Sequence, residues 1–218
     1  MPELPEVETI RRGLAKAMEG RRIENVEVRR RDLRFPVSVD FEDRLRGRTL
    51  TSLGRRAKYL VYTFDDDTVL LSHLGMSGRM VIETEEDRAV CGNFAQNISA
   101  HDVHQHIVFQ IGNGTAVRFS DPRRFGMMLL TTTRDFPSHR LIRDLGPEPI
   151  GQDFVGPILA AQLQGKKTPI KSALLDQRVV AGIGNIYACE ALFDAGISPR
   201  RNAYTVQGRR AARLAESV

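Results

Sequence analysis

The stretch KYLVYTFDDDTVLLSHLGMSGRMVIE, residues 58–83, decides the fold class of this chain. Its apolar residues alternate with polar ones or form short runs, and the breaks DDD and GMSG are typical of turns. Similar segments lie on either side of it: IENVEVR, HIVFQI and TAVRFS, the last two separated by GNG. We therefore predict that residues 22–121 form short antiparallel strands arranged as a sandwich or a barrel.

A helix is predicted before these strands. Pro5 fits a first helical position, Glu6 and Glu8 suit the positive end of the helix dipole, and apolar residues recur with helical spacing up to Gly20. This helix is expected to close the strand assembly.

Helices are also predicted after the strands. LGPEPIG reads as a linker, so we predict domains at residues 1–146 and 147–218. The predicted helices of the second domain lie in DFVGPILAAQLQG, IKSALLDQ and IYACEALFDAG, with the glycine-rich turn AGIGN before the last.

Residues 83–100 are predicted to form a long exposed loop. Since GRRAARLAESV has helical composition without a stop signal, we expect the sequence to be an incomplete version of a longer protein.

Composition limits the class of protein. The 218 residues are 41% hydrophobic and 27% charged, and no apolar run approaches the roughly 20 residues that span a bilayer, so we expect a soluble, cytoplasmic protein without an export signal. The net charge of +5 is concentrated in clusters, which fits either a polyanion partner or a solvated basic surface. Cys91 and Cys189 are far apart and form no CxxC pair, so we predict neither a disulfide framework nor a cysteine zinc site.

The amino terminus is a candidate reagent. If Met1 is removed, Pro2 presents a secondary amine, and an α-amino group near its usual pKa is partly uncharged at neutral pH and able to attack a sugar carbon. Glu3 could act as a general acid if burial raised its pKa. The alternative is that both residues only begin a helix.

Basic residues surround another candidate, Lys58. Its neighbours Arg55 and Arg56 are cationic and would lower its pKa, whereas a nearby phosphate would raise it. Lys58 is therefore predicted to be either a reactive amine or a cation that only binds a phosphate group, and the two roles are compatible.

Several motifs occur together along the chain. They are PELPEVET at residues 2–9, RRAKYL at 55–60, HLGMSG at 73–78, DPRRFG at 121–126, LGPEP at 145–149 and VVAGIGNIYACEALF at 179–193. With them the sequence closely resembles the bacterial formamidopyrimidine-DNA glycosylase family, the 8-oxoguanine DNA glycosylases with lyase activity. The resemblance implies a β-sandwich with an amino-terminal helix, followed by a helix-two-turn-helix domain. It also implies base-excision repair of oxidised purines in double-stranded DNA, performed by a monomer.

The resemblance implies roles for individual residues. Pro2 matches the proline that forms a Schiff base with C1′ of the damaged nucleoside, and Glu3 matches the glutamate that protonates the deoxyribose. Lys58 matches the lysine that assists base loss and β-elimination.

Further matches concern DNA binding. Met76, Arg123 and Phe125 match the side chains that fill the gap left by the everted nucleotide, although a Met and a Phe beside turns could also be core residues. The residues that match phosphate or DNA contacts of the family are His104, Lys167, Lys171 and Asn185. His101 and His106 make the register of His104 less secure, and no carboxylate or cysteine is spaced to complete a metal site with these histidines.

The match ends before the four-cysteine zinc finger of the family. The resemblance therefore implies one structural Zn²⁺ on a finger outside residues 1–218, and no cofactor or metal site within them. Loss of that finger would weaken DNA binding and δ-elimination. Two other functions stay open: a noncatalytic DNA-binding fragment, and a related glycosylase that prefers oxidised pyrimidines.

Overall fold

The computed structural model describes residues 2–84, 88–91, 103–112 and 114–218. It divides into two compact units, Met1–His139 and Arg140–Val218. The predicted domain boundary near residue 146 stays a prediction; in this division the LGPEP segment lies with the second unit, where Gly146 N–H donates to the Gln177 carbonyl at 2.9 Å.

The first unit begins with helix α1, Leu4–Met18. Glu3 is its N-cap residue, and the Glu3 N–H donates to Glu6 Oε2 at 2.9 Å, which satisfies an amide near the helix start. The predicted first helix is confirmed, and Gly20 follows it in the left-handed region at φ +72°. The buried face of α1 consists of Leu4, Val7, Ile10, Leu14 and Met18.

Antiparallel strands follow α1. They are β1 (Ile23–Val28), β2 (Leu50–Arg56), β3 (Tyr59–Phe64), β4 (Thr68–His73), β5 (Arg79–Glu83), β6 (Arg88–Val90), β7 (Gln105–Ile111), β8 (Thr115–Ser120) and β9 (Met127–Thr132). One sheet has the order β1-β7-β8-β5-β6 and the other β2-β3-β4-β9.

The two sheets share one hydrophobic core with α1. Phe109 and Phe119 enter it from the five-stranded sheet, Leu60 and Leu70 from the four-stranded sheet, and Leu14 from the helix. Separate sheets around a common core form a sandwich, so the sandwich prediction is confirmed and the barrel is excluded.

The sequence-based prediction missed or misassigned several elements. Helix α2, Phe41–Leu45, and strand β9 were not predicted. The loop predicted at residues 83–100 is wrong where β6 pairs with β5, because three residues there complete the sheet edge. Most of the remainder of that loop, residues 85–87 and 92–100, lies outside the described residues.

The second unit is helical, with α3 (Gly156–Leu163), α4 (Ile170–Leu175), α5 (Asn185–Asp194) and α6 (Arg209–Ser217). The predicted helices are confirmed, and they bury a core of their own that includes Leu159, Leu174, Leu192 and Leu214. Across the described part of the chain, no helix is long and apolar enough to span a bilayer.

Candidate active site

The amino terminus is held at the start of α1. Pro2 and Glu3 are both buried, and the Glu3 backbone is fixed by its bond to Glu6. A buried carboxyl next to the terminal residue is therefore built into the helix start, so the two interpretations of this segment apply together: it is a helix cap and a candidate reactive group.

Lys58 lies in the tight turn between β2 and β3. Arg56 pairs with Tyr59 across the hairpin, so Ala57 and Lys58 are the two turn residues, and Ala57 adopts φ +52°. This is the positive φ that two-residue hairpin turns require at their first position. Lys58 is only 5% exposed, although the turn itself joins two strand ends.

The surroundings of Lys58 explain why the pKa of its amine is lowered. Burial lowers the pKa of the Lys58 amine, while the nearby carboxylates of Glu3 and Glu6 partly raise it. The sequence argument predicted the direction of this shift but named the wrong cause, because burial rather than Arg55 or Arg56 produces it. The same carboxylates show that the structure brings Lys58 close to the amino terminus of α1.

The HLGMSG and DPRRFG turns are packed against each other. A Cβ on Gly75 would lie 2.4 Å from the carbonyl carbon of Phe125, so only glycine permits this approach. Asp121 is fully buried between the turns: Oδ1 accepts from Ser77 Oγ at 2.5 Å and Oδ2 from Gly126 N–H at 2.7 Å. The Ser77 hydroxyl also accepts from Arg123 N–H at 3.1 Å, so one carboxylate holds both turns together.

Candidate wedge residues protrude from this pair of turns. Met76 is 47% exposed and Phe125 is 45% exposed, so neither is a core residue. The Arg123 guanidinium lies 4.8 Å from the centre of the Phe125 ring, in the range of a cation–π contact. Two apolar side chains and a cation are thereby presented together on a rigid support.

Sequence reasoning missed His73, the first residue of HLGMSG. Its Nδ1 accepts from Gly75 N–H at 2.9 Å, and its ring lies 5.0 Å from that of Tyr59. Burial first, and then the charges of Arg34 and Lys58, lower the pKa of His73 to about 4, so the imidazole is neutral at physiological pH. The signal in the sequence was a histidine at the end of a buried strand, directly before the turn.

The predicted DNA contact His104 is exposed and directly precedes β7. Its carbonyl accepts from Asp121 N–H at 3.0 Å. His106 is buried, and its Nε2 lies 2.8 Å from the Asp121 carbonyl oxygen. A bulge shifts the register of β7 between Gln105 and Ile107, and the rings of His104 and His106 lie 6.5 Å apart, edge to face. His101 lies outside the described residues.

The remaining predicted contacts lie in the second unit. Asn185 is exposed at the first position of α5, where Gly184 is the N-cap. Gln177 organises the turn before it: Nε2 donates to the Ile183 carbonyl at 2.9 Å, and Oε1 accepts from Gly182 N–H at 2.9 Å. The backbone N–H groups and the dipole of a helix start suit an anion.

Lysines flank the start of α4 in the same unit. Lys167 is exposed, and Lys171 is partly buried within the first turn of the helix. Both are cations near a helix start, as a phosphate-binding surface needs.

No metal site is found within the described ranges 2–84, 88–91, 103–112 and 114–218, where no three His, Cys, Asp or Glu side chains are grouped to hold an ion. Cys91 is buried against the first core, and Cys189 is exposed on α5. The described residues therefore do not fit a four-cysteine zinc site.

The fold and these sites define a class of DNA-repair protein, built from a β-sandwich with a buried amino-terminal segment and a helical unit with a glycine-rich turn. The formamidopyrimidine-DNA glycosylase N-terminal domain matches residues 1–128, and the H2TH domain of the same family matches residues 145–218. The chain belongs to the formamidopyrimidine-DNA glycosylase family, in which a C-terminal zinc finger is typical.

Individual relatives agree with this assignment. A Bradyrhizobium formamidopyrimidine-DNA glycosylase is 50% identical over 100% of this chain and 76% of its own length. The Brucella ovis protein of the same name is 49% identical over 95% of this chain and 72% of its own length.

Solved structures of Lactococcus lactis Fpg are also similar. A complex with abasic-site DNA has a TM-score of 0.83 at 32% identity, covering 99% of this chain and 74% of that one. A complex with DNA containing an oxidised pyrimidine has a TM-score of 0.84 at 32% identity, covering 99% and 76%.

Proposed function

We propose that this chain is a bifunctional DNA glycosylase and abasic-site lyase of base-excision repair, with Pro2, Glu3 and Lys58 as its reacting groups and oxidised purines in duplex DNA as its substrates. The observation that carries the proposal is the burial of Lys58 and Glu3 beside the amino terminus. A merely structural helix start does not require a buried lysine at its side.

The reaction begins at Pro2 once Met1 has been removed. The secondary amine forms a bond to C1′ as the glycosidic bond breaks, and the electron pair of that bond leaves with the base, which takes up a proton. Glu3 then protonates the ring oxygen of the deoxyribose as the C1′–O bond opens, which leaves an iminium ion between Pro2 and C1′.

Strand cleavage follows from the iminium ion. Loss of a proton from C2′ allows the 3′ phosphate to depart, which is β-elimination. Lys58 supplies protons during base loss and this step. Because burial lowers its pKa, the Lys58 ammonium is a stronger acid than an ordinary lysine and a better donor near neutral pH.

The two turns of the first unit supply the wedge. Removing a base from the stack costs a few kcal/mol, and Met76 and Phe125 can offset that cost by filling the gap while Arg123 pairs with the widowed base. His104, Lys167, Lys171 and Asn185 bind backbone phosphates in this proposal, which fits their exposure or their position at helix starts.

The zinc ion has no part in these steps. A structural Zn²⁺ belongs, in this proposal, to the carboxy-terminal finger that is typical of the family. Bacterial relatives of the same family suggest action in the cytoplasm, on the chromosome. Action as a monomer stays a prediction.

Borohydride trapping tests the proposal. A duplex with one 8-oxoguanine opposite cytosine should give a covalent adduct with the wild-type chain, because borohydride reduces the iminium ion to a stable amine. Pro2→Gly should give little adduct, whereas Pro5→Ala, which alters an exposed proline of the same helix start, should retain it. Amino-terminal sequencing must accompany the assay, since retained Met1 converts the Pro2 nitrogen into a tertiary amide.

The same assay separates the alternative functions. A noncatalytic DNA-binding fragment binds the duplex without forming any adduct. A thymine glycol duplex should be included, because one structural relative was solved with DNA containing an oxidised pyrimidine. Faster excision of thymine glycol than of 8-oxoguanine would contradict the purine preference.

A further inference from the structure

A cluster of charged side chains joins α1 to the hairpin that carries Lys58. At its centre is Glu8, whose Oε1 accepts from Arg11 Nη2 at 2.9 Å and from Arg12 Nε at 2.9 Å. Glu8 Oε2 accepts from Arg11 Nε at 3.0 Å and from Arg55 Nε at 3.2 Å. The hydrogen bond from Arg11 is the main cause that lowers the pKa of Glu8 to about 2, so this carboxylate is ionised at any physiological pH.

Arg55 is the most buried of the arginines that bind Glu8. Its side chain is only 6% exposed, whereas that of Arg12 is 71% exposed. Arg55 also makes a second bond, from Nη1 to the carbonyl oxygen of Ala57 at 2.8 Å. One guanidinium therefore connects the amino-terminal helix directly to the backbone of the turn that contains Lys58.

The turn needs such support. Ala57 holds φ +52°, a left-handed region that is unfavourable for a residue with a Cβ. A desolvated guanidinium is also costly unless it is paired and hydrogen-bonded, and the Glu8 carboxylate and the Ala57 carbonyl supply such partners to Arg55. The planar guanidinium of arginine directs its N–H groups at fixed angles. Its shape, and not its charge alone, therefore determines where the turn lies.

We propose that Arg55, anchored by Glu8, is a positioning residue that fixes the Ala57–Lys58 turn against α1 and so places the Lys58 amine beside Glu3. The catalytic meaning of this placement rests on the function proposed above. The placement itself is a property of the fold and can be measured without DNA.

Charged groups face Lys58 from two elements. Glu3 and Glu6 approach from the start of α1, and His73 lies within electrostatic range at the end of β4. If Arg55 no longer holds the turn, Lys58 gains access to water. The desolvation that lowers the pKa of its amine then weakens, and the pKa moves up toward its ordinary value.

The first test measures the Lys58 amine directly. Trace acetylation of the whole chain at a series of pH values, with peptide mass spectrometry, gives the pH midpoint for Lys58 and for the exposed Lys16 on α1 as an internal reference. In Arg55→Met we expect a higher midpoint for Lys58 and faster labelling at pH values above that midpoint, with Lys16 unchanged. Arg55→Lys keeps the charge but not the fork, so it should shift Lys58 in the same direction.

A matched control and a second variant keep the test sharp. Arg12→Gln removes a partner of the same carboxylate that does not touch the hairpin, so it should leave the Lys58 midpoint unchanged. Glu8→Gln keeps the shape of the anchor and removes its charge, and it replaces Arg55→Met if that variant does not fold. The proposal would be overturned if the Lys58 midpoint stayed unchanged in Arg55→Lys and also in Arg55→Met, or in Glu8→Gln where that variant replaces Arg55→Met.

A second measurement connects placement with chemistry. Single-turnover cleavage of a duplex with a preformed abasic site should fall roughly tenfold or more in Arg55→Lys, because a displacement of about 1 Å at a reacting group is costly, while DNA affinity stays near that of the wild type. A shifted midpoint with undiminished cleavage would overturn the catalytic part. Absence of cleavage in the wild type as well would contradict the proposed function, and the labelling result would still decide whether Arg55 positions Lys58.

Discussion

Lys58 is a basic side chain in a place where its charge is unfavourable. Because its pKa is lowered in the folded chain, the unfolded chain binds more protons between that lowered pKa and the ordinary value of 10.5. The free energy of unfolding contributed by this site therefore rises as the pH increases through that window. At pH values below this window the folded chain loses stability, because it holds the charged Lys58 amine in a buried place beside Glu3.

Replacing Lys58 by Met should reveal this cost. We expect Lys58→Met to be at least as stable as the wild type at pH 7, because a buried charge is exchanged for a side chain of similar volume, and to lose strand cleavage. In urea unfolding, the free energy of unfolding should also rise less from pH 7 to pH 10 in the variant than in the wild type. Marked destabilisation of Lys58→Met at pH 7 would contradict this account of the site.

His73 gives a prediction of the same kind at lower pH. Its pKa of about 4 in the folded chain lies below the ordinary 6.5, so the unfolded chain binds the proton first as the pH falls. The stability contributed by neutral His73 is complete above pH 6.5 and decreases toward pH 4. Linkage sets the loss between pH 7 and pH 5 at about 2 kcal/mol.

The comparison variant for this prediction is His73→Asn, which keeps an acceptor for the Gly75 amide but does not titrate. Chemical denaturation at pH 7 and pH 5 should show a steeper loss of stability in the wild type than in His73→Asn. Equal losses in the two proteins would show that His73 does not titrate below its usual range.

At the scale of elements, the position of the wedge depends on the junction between two turns. Ser77→Ala removes the hydroxyl that donates to Asp121 and accepts from Arg123 N–H, and this should cost about 1–2 kcal/mol of stability. We expect the variant to evert the target nucleotide less completely, since Met76 and Arg123 are then less firmly held. The fluorescence of 2-aminopurine placed next to the lesion measures that eversion.

Thr51→Ala is the matched control for this prediction. It also removes a hydroxyl, one that donates to the Thr63 carbonyl at 2.8 Å within the four-stranded sheet, away from the two turns. Its fluorescence change on DNA should equal that of the wild type. A Ser77→Ala protein that gives the full wild-type signal would show that the junction does not control the wedge.

The sequence predicts elements well where periodicity is strong and poorly where tertiary contacts decide. Strands such as β3 alternate with period two and were predicted, whereas the apolar run of β9 has no such period and takes its conformation from pairing with β4. Burial of Lys58 was not predictable either, since RRAKYL is rich in cations and only the packing of the hairpin against α1 removes its lysine from water. The Asp121 junction joins residues 44 positions apart, which no local pattern reveals.

At the scale of the whole molecule, the distribution of charge limits which cations can bind DNA. Many arginines of the basic clusters are already paired with a neighbouring carboxylate, among them Arg29 with Glu27 and Arg178 with Asp176, each at 2.9 Å. A paired guanidinium releases fewer counterions on binding a phosphate than an unpaired cation does, so the number of basic residues overstates the DNA-binding surface.

Salt dependence of DNA binding tests this distinction. If Lys167 and Lys171 each neutralise one phosphate, Lys167→Ala and Lys171→Ala should each reduce the slope of log K against log salt concentration by about 1, with similar weakening for damaged and undamaged duplexes. Arg178→Gln is the matched control from the same unit, because its guanidinium is paired with Asp176, and it should leave the slope unchanged. Fluorescence anisotropy titrations between low and physiological salt give these slopes. If Arg178→Gln instead reduced the slope as much as Lys167→Ala does, ion pairing would not determine which cations contact phosphate. The exposed arginines would then contribute to DNA binding in proportion to their number.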